Sequence, residues 1–332
     1  MTISRGYCLI SSTLSILVTD RSYRELTSAV KSDTTAIKKD TALIKGMKDE
    51  MGEIASHTEA AVDSARQQAQ ERRHQKVVSF IASHDFGSKL SDILSNRQSG
   101  TGDWFVQAPE FREWLQTDGG ILWCPGIPGA GKTTLIATAI DHLQSHFRSE
   151  DDIKVLYAFC DYKDQEIQTV RTVLASLWGH LMKSRLLDMR ECEALEKKYL
   201  ERKVQPPETE MLAILQDEIA RYPRIFILLD ALDEFSSNHR EDLLFALQKL
   251  GLNVNILITS RYIAHVESTT TRNTQQLQIS AADADLRAYI AGRLTRETRL
   301  GRHVEKDPKL AEDITNIIIQ RAQGMYVTMK LV

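Results

Sequence analysis

One segment constrains this chain more than any other: residues 126–134 read GIPGAGKTT. They fit the pattern G-x-x-x-x-G-K-[S/T], in which backbone N–H groups surround phosphates, the lysine reaches the outer phosphates and the hydroxyl holds a magnesium ion. An apolar run, residues 121–124, comes directly before the pattern, and a helical spacing of apolar residues from Leu135 to Leu143 follows it. Because the motif requires strand, loop and helix in this order, the segment predicts a phosphate-binding loop.

A second motif lies where another apolar run ends in acidic side chains. Residues 225–229 lead into Asp230, and Asp233 and Glu234 follow. Ligands of open parallel sheets bind beyond the carboxyl ends of the strands. We therefore expect Asp230 to hold the metal ion, usually through water, and Glu234, in preference to Asp233, to polarise an attacking water.

Phosphoryl transfer requires charge neutralisation and alignment, and the two motifs supply residues for both. Arg261, which follows the next apolar run, is expected to reach the γ-phosphate; the alternative interpretation is a surface arginine after a strand. The predicted catalytic residues are thus Asp233, Glu234 and Arg261, and the predicted magnesium ligands are Thr133 and Asp230. The predicted cofactors are Mg²⁺ and either ATP or GTP. The predicted nucleotide contacts are Gly126, Ile127, Pro128, Gly129, Ala130, Gly131, Lys132, Thr133 and Thr134.

Strand-like and helix-like segments alternate through the middle of the chain, which predicts an α/β fold with a parallel sheet covered by helices on both faces. The predicted strands are residues 121–124, 154–160, 224–230, 255–259 and 276–279. One of the helices is predicted to carry an apolar stripe from Ile167 to Leu181. A helical arm, residues 1–95, precedes this P-loop NTPase domain, residues 96–280, and the start of a small helical domain, residues 281–332, follows it. The predicted class is a three-layer α/β/α fold with helical additions at both ends.

The arm carries apolar residues every seven positions, at Val30, Ile37, Ile44 and Met51, and has no proline between residues 23 and 81. This period is typical of a long helix that packs against other helices or coils with them. A helical bundle within one chain and a coiled coil that binds a second copy or an effector both remain open.

Composition limits which binding partners and which cellular compartment we expect for this chain. The formal net charge of −3 gives no global reason to expect nucleic acid or an anionic membrane as a partner. The uncharged run at residues 6–19 is shorter than the ~20 residues that a membrane-spanning helix needs, so we expect no transmembrane segment. Four widely spaced cysteines are too few for a disulfide framework, which favours reduced thiols in a cytoplasmic protein.

Longer stretches around both motifs resemble a known family. The sequences GIPGAGKT, ILLDALDEF and ILITSR are similar to the NACHT branch of the STAND signal-transduction ATPases, relatives of AAA+ enzymes. The stretches RQSGTGDWFVQAPEFREWL, residues 97–115, and LWCPGIPGAGKTT resemble the nephrocystin-3-like N-terminal module of many fungal NACHT proteins that carry ankyrin or WD40 repeats. DADLRAYI, residues 283–290, and AQGMY, residues 322–326, extend the resemblance, which covers residues 83–326.

The resemblance implies a five-stranded parallel sheet in the order 5-1-4-3-2, followed by a small helical domain. It implies binding and slow hydrolysis of ATP or GTP, with the nucleotide state controlling a signalling assembly, as in fungal self/non-self or heterokaryon-incompatibility responses. It also implies that residues 97–104 lie near the base. Relatives often have proline where this chain has Tyr262.

Relatives also continue into a winged helix whose histidine holds the diphosphate. The sequence ends at Val332 before such a segment, which we interpret as a truncated chain or a short form. Two other functions stay open at this point. One is a free-standing P-loop ATPase or kinase that acts on an unidentified substrate, and the other is a coiled-coil scaffold that binds nucleotide.

Overall fold

The computed structural model describes residues 3–82, 84–263, 266, 270, 272–296 and 308–322. Of the AQGMY segment, residues 323–326 lie outside this part of the chain. The chain divides into two compact units, Met1–Gln70 and Glu71–Val332. Helix α1 covers Ile3–Ile81, which confirms the predicted long helix.

In the first unit the described residues all belong to α1, which continues to Ile81 in the second unit, and the side chains of residues 21–69 are exposed. The four apolar residues of the seven-residue repeat, Val30, Ile37, Ile44 and Met51, are between 59% and 69% exposed. Exposed apolar side chains that recur along a helix favour contact with another apolar surface. No second helix is seen against them in the described residues of this unit, so the coiled coil stays a prediction. Within the described residues, neither α1 nor any other helix is long and apolar enough to cross a membrane.

The second unit contains an α/β core that follows the predicted alternation of strands and helices. Its helices are α2 (Gly87–Asn96), α3 (Asp103–Gln107), α4 (Pro109–Gln116), α5 (Lys132–His146), α6 (Val170–Ser184), α7 (Met189–Leu195), α8 (Glu208–Ile219), α9 (Arg240–Gln248), α10 (Asp283–Arg296) and α11 (Pro308–Ala322). Its strands are β1 (Ile121–Pro125), β2 (Ile153–Phe159), β3 (Arg224–Asp230), β4 (Val254–Ser260) and β5 (Thr274–Gln276).

The strands form one parallel sheet in the order β2-β3-β4-β1-β5, which confirms the predicted order and the α/β/α class. Every residue of β1 and β4 is buried, as expected for central strands that helices cover on both faces. Leu257 of β4 pairs with Leu122 of β1 and with Leu228 of β3. The carboxyl ends of these three strands therefore meet at one edge of the sheet, and both predicted motifs lie at that edge.

The fifth strand begins two residues earlier and ends three residues earlier than predicted. Residues 274–276 are polar because β5 is an edge strand that is only partly buried, so an apolar pattern could not mark it. The apolar residues Leu277 and Ile279 lie beyond its end, and Ile279 forms a parallel bridge with Gly126. The chain after β5 therefore runs beside the predicted phosphate loop.

One helix begins later than its apolar stripe indicates. Ile167 was expected on the buried face, but it precedes α6 and is 51% exposed. Thr169 ends the loop, because its hydroxyl accepts a hydrogen bond from the backbone N–H of Thr172 (3.3 Å) and its own N–H donates to the Thr172 hydroxyl (2.8 Å). This reciprocal cap fixes the first turn of α6.

Candidate functional site

The loop between β1 and α5 has the backbone conformation that its glycines permit. Gly129 and Gly131 have φ values of +77° and +87°, a region that side chains with a Cβ rarely occupy. Gly131 is the N-cap of α5, so the loop leads directly into the helix N-terminus. Backbone N–H groups and the positive end of the helix dipole at such a terminus form an anion-binding site.

Gly126, the first glycine of the motif, is required for a different reason. A Cβ at this position would lie 2.7 Å from the carbonyl oxygen of Ile279. Ile279 is held this close because its N–H donates to Pro125 O (2.7 Å), while Gly126 N–H donates to Ser260 O at the end of β4 (3.0 Å). The motif glycine thus permits a close packing of the loop against the segment after β5, which the motif alone does not reveal.

Lys132, the first residue of α5, directs its ammonium group back over the loop. Its Nζ donates to Gly126 O (2.8 Å) and to Ile127 O (3.0 Å). Burial lowers the pKa of Lys132, and the negative charges of Asp233 and Asp230 partly offset this effect. The predicted phosphate ligand therefore lies within electrostatic range of the predicted acidic residues.

Asp230 joins the two motifs at the end of β3. It is 2% exposed, and its Oδ2 accepts a hydrogen bond from the Thr133 hydroxyl (2.8 Å). Its Oδ1 accepts a hydrogen bond from the hydroxyl of Thr259 (2.6 Å), a residue to which the sequence assigned no role. Burial raises the pKa of Asp230, and the two hydroxyl donors act in the opposite direction.

The two predicted magnesium ligands, Thr133 and Asp230, are thus in direct contact. Both offer hard oxygen donors, the type that Mg²⁺ prefers. No group of three or more His, Cys, Asp or Glu side chains in the described part of the chain could hold a metal ion. Thr133 and Asp230 together supply few ligands, which fits an ion that takes its remaining ligands from water and phosphate, as Mg²⁺ commonly does.

Asp233 and Arg261 form an ion pair at the ends of β3 and β4. The Nε atom of Arg261 lies 3.1 Å from Oδ2 of Asp233, and the backbone N–H of Arg261 donates to Oδ1 (2.8 Å). The Asp233 side chain is 13% exposed and that of Arg261 is 60% exposed. Both carboxylate oxygens of Asp233 are therefore engaged by the residue predicted to reach the γ-phosphate.

Glu234 is held more loosely than Asp233. Its Oε2 accepts one hydrogen bond, from the backbone N–H of Tyr162 at 3.3 Å, and its carbonyl oxygen accepts another from Nε2 of Gln165 (2.9 Å). Glu234 borders a cavity of about 420 Å³ at the carboxyl edge of the sheet. The lining residues are Tyr162, Gln165, Asp233, Glu234, Arg240, Arg261, Tyr262 and Ile263.

The segment expected near the base, residues 97–104, packs against α5 and is tied to α10. Oδ2 of Asp285 accepts hydrogen bonds from the backbone N–H of Gly102 (2.8 Å) and from the indole N–H of Trp104 (3.1 Å). Asp285 is 7% exposed and belongs to the DADLRAYI stretch. Two stretches that the sequence singled out separately are therefore parts of one buried contact.

Comparison with known proteins gives one family match. Residues 100–261 match the family described as Nephrocystin 3, N-terminal. No curated protein matched the chain.

Solved structures give weaker similarities. The Aeropyrum pernix ORC2 protein in ADPNP–ADP complexes is 13% identical over 60% of this chain and 52% of that chain, with a TM-score of 0.37. C. elegans PCH-2 is 17% identical over 64% of this chain and 52% of that chain, with a TM-score of 0.33. Drosophila ORC bound to DNA is 12% identical over 68% of this chain and 54% of that chain, with a TM-score of 0.37. The similarity thus spans about half the length of each of these chains.

The family match includes the phosphate loop, the acidic end of β3 and the arginine that follows β4. We therefore identify residues 100–261 as a P-loop NTPase module similar to the N-terminal region of nephrocystin 3.

Proposed function

We propose that this chain binds ATP or GTP with Mg²⁺, hydrolyses it slowly, and uses the bound nucleotide to control a signalling assembly of the NACHT and STAND type. The observation that carries the proposal is the contact between Thr133 and Asp230, 2.8 Å between oxygen atoms, which brings the phosphate loop and the acidic strand together. The family match of residues 100–261 supports it.

Phosphate binding would use the loop and Lys132. The N–H groups at Gly129 and Gly131 and the N-terminus of α5 favour an anion. Lys132 Nζ donates to two uncharged carbonyl oxygens, whereas a phosphate oxygen accepts the same hydrogen bond and also carries a negative charge that attracts the ammonium group. A polyphosphate therefore competes well for the ammonium group.

The magnesium ion would be held by Thr133 and by Asp230 through water. When bound, it supplies positive charge next to the outer phosphates, which stabilises charge in the transition state. Thr259 keeps the Asp230 carboxylate in place through the 2.6 Å hydrogen bond. The same hydroxyl accepts from the N–H of Ala231 (3.0 Å), so it fixes both the carboxylate and the start of the acidic turn.

Hydrolysis requires a group that accepts a proton from the attacking water. Glu234 suits this role better than Asp233, because one 3.3 Å hydrogen bond leaves most of its carboxylate available, whereas Arg261 engages both oxygens of Asp233. Asp233 then holds Arg261 in an ion pair, and the Arg261 side chain reaches the γ-phosphate after this ion pair breaks.

The signalling role rests on the resemblance to NACHT proteins and on the exposed apolar repeat of α1. The test is to purify the chain, identify any bound nucleotide, and measure the mass by light scattering with ADP and with a nonhydrolysable ATP analogue. We expect retained nucleotide, turnover well below one per second, and a mass that differs between the two nucleotides. A monomer of unchanged mass with rapid multiple turnover would instead favour a free-standing ATPase or kinase, and failure to bind either nucleotide would refute the proposal.

A further inference from the structure

Arg240, to which the sequence assigned no role, contacts the acidic turn from outside it. Its Nε donates to the carbonyl oxygen of Leu232 (3.1 Å), and its Nη2 donates to those of Asp233 (2.9 Å) and Phe235 (3.1 Å). One half-buried guanidinium group thus binds three carbonyl oxygens within four consecutive residues.

The position of Arg240 is unfavourable for the helix that begins with it. Arg240 is the first residue of α9, where the helix dipole is positive and acidic side chains are favoured. The next two residues, Glu241 and Asp242, follow that preference. A basic residue in the first turn of α9 departs from the preference for acidic side chains there, and such departures are expected at functional sites.

The turn that Arg240 binds is strained. Ala231 has a φ of +53°, in the left-handed region that residues with a Cβ seldom adopt. Residues 232–234 then form a single 3₁₀ turn. Such a conformation persists only where the surroundings hold it. Besides Arg240, the hydroxyl of Thr259 holds the N–H of Ala231, and Gln165 holds the carbonyl oxygen of Glu234.

We propose that Arg240 is a positioning residue for Glu234: its guanidinium fork fixes the 231–235 turn so that the Glu234 carboxylate faces the attacking water. This inference rests on the proposed hydrolysis. Arg240 borders the same cavity as Glu234, but its side-chain hydrogen bonds go to the turn, and through them it places Glu234. A lysine at this position offers a single charged nitrogen and no planar fork, so it holds fewer of the three carbonyl groups.

The experiment compares Arg240→Ala and Arg240→Lys with the unchanged chain. The readouts are the dissociation constant for ATP and the rate of single-turnover hydrolysis. The control is Arg148→Ala, which removes an exposed arginine from the turn before β2, at the opposite edge of the sheet. We expect Arg240→Ala to bind ATP within about threefold of the unchanged chain and to hydrolyse it ten- to a hundredfold more slowly, since small displacements of a catalytic group have effects of this size.

Two further measurements separate positioning from general stability. Ethylguanidinium added to Arg240→Ala should restore part of the hydrolysis rate without changing the ATP affinity. The hydrolysis rate of Arg240→Lys should lie between that of Arg240→Ala and that of the unchanged chain.

If Arg240→Ala does not fold, the lysine variant decides: slower hydrolysis at unchanged affinity supports the role, and an unchanged rate refutes it. Equal rates for Arg240→Ala and the unchanged chain refute the Arg240 role alone, whereas an unchanged chain that binds ATP without any hydrolysis refutes the proposed hydrolysis and the Arg240 role with it.

Discussion

Arg261 lies against Asp233, with its Nε 3.1 Å from one carboxylate oxygen and its backbone N–H bound to the other at 2.8 Å. The side-chain contact and the backbone contact of Arg261 have different effects. The backbone bond fixes the loop after β4, whereas the side-chain bond occupies the charge that a γ-phosphate would attract. Asp233 therefore places Arg261, and under the proposed function it would also compete with the γ-phosphate for the guanidinium group.

Replacement of Asp233 by asparagine should release the Arg261 guanidinium while keeping an oxygen acceptor for its N–H. Exposed ion pairs are worth about 0.2–1 kcal/mol, so the preference for ATP over ADP should rise by up to about fivefold. Equilibrium titration with both nucleotides measures the ratio. Asp118→Asn, which removes a carboxylate 3.5 Å from Arg224 before β1, serves as the control and should leave the ratio unchanged. A ratio that falls in Asp233→Asn would show that Asp233 supports the arginine rather than restrains it.

Replacement of Lys132 by alanine should abolish nucleotide retention. The ammonium group would lose its charged hydrogen bonds to phosphate, each worth about 1.5–3 kcal/mol, so affinity should fall by about tenfold to more than a hundredfold. Isothermal titration with ATP and Mg²⁺ provides the measurement. Lys249→Ala, at the C-cap of α9, removes the same charge at the other edge of the sheet and should bind normally. Equal affinity for Lys132→Ala and the unchanged chain would exclude the phosphate-loop assignment.

Replacement of Glu234 by glutamine should preserve binding and slow hydrolysis. The amide keeps the size of the side chain and an acceptor for the Tyr162 N–H, but it cannot take a proton from water. General-base catalysis contributes typically 10²–10⁴-fold, so single-turnover rates should fall by about that factor. Glu241→Gln, in the first turn of α9, is a matched control. Unchanged hydrolysis in Glu234→Gln would transfer the role to another group.

His180 should make the chain less stable in mild acid. Its Nδ1 accepts a hydrogen bond from Tyr157 N–H (3.3 Å), and burial, with a smaller effect of Lys183, lowers its pKa from 6.5 to about 4. The unfolded chain binds a proton below pH 6.5 that the native chain excludes until about pH 4, so the free energy of unfolding falls between these values by up to about 3 kcal/mol. Above pH 6.5 this group has no effect.

Urea unfolding of His180→Gln at several pH values tests this expectation. The variant keeps an acceptor for Tyr157 but does not titrate, so its free energy of unfolding should depend less steeply on pH between 6.5 and 4 than that of the unchanged chain. His57→Gln, an exposed histidine of α1, should reproduce the unchanged slope. Parallel curves for His180→Gln and the unchanged chain would contradict the lowered pKa.

The apolar repeat of α1 should mediate self-association. Ile37→Asp combined with Ile44→Asp places charges in the repeat and should reduce the mass of the assembly to that of a single chain. Thr35→Asp combined with Ala42→Asp adds the same charge at positions on the opposite side of the helix and should leave the mass unchanged. Sedimentation with an ATP analogue gives the masses. An unchanged chain that sediments as a monomer at every concentration would exclude this role for the repeat.

Much of this architecture could be predicted from sequence because local patterns determine it. The glycine loop, the acidic end of β3 and the alternation of strands and helices follow from patterns in which neighbouring residues carry the signal, whereas the order of the strands came from the family resemblance. Ile167 was misplaced because a threonine cap, not hydrophobicity, decides where α6 begins. The polar β5 escaped detection because an edge strand needs no apolar pattern.

The contacts that hold the candidate site were the least predictable part. Thr259 binds Asp230 from 29 positions away, and Asp285 binds Gly102 from 183 positions away. Neither side chain differs in type from many others in the chain, so only the folded arrangement reveals its partner. Arg240 lies close in sequence to the turn that it binds, and its misfit with the helix dipole is the one signal that sequence offered.

The match to the nephrocystin family ends at residue 261, but the folded sheet does not. Beyond it lie β5, which pairs with β1, and Ile279, whose N–H is bound to Pro125 O at 2.7 Å. A fragment trimmed to the matched residues would strip one side of β1 and leave its backbone groups bare, a condition that promotes strand-to-strand aggregation. A shortened chain made for biochemical work should therefore extend through α10, because the folded sheet continues beyond the last residue of the family match.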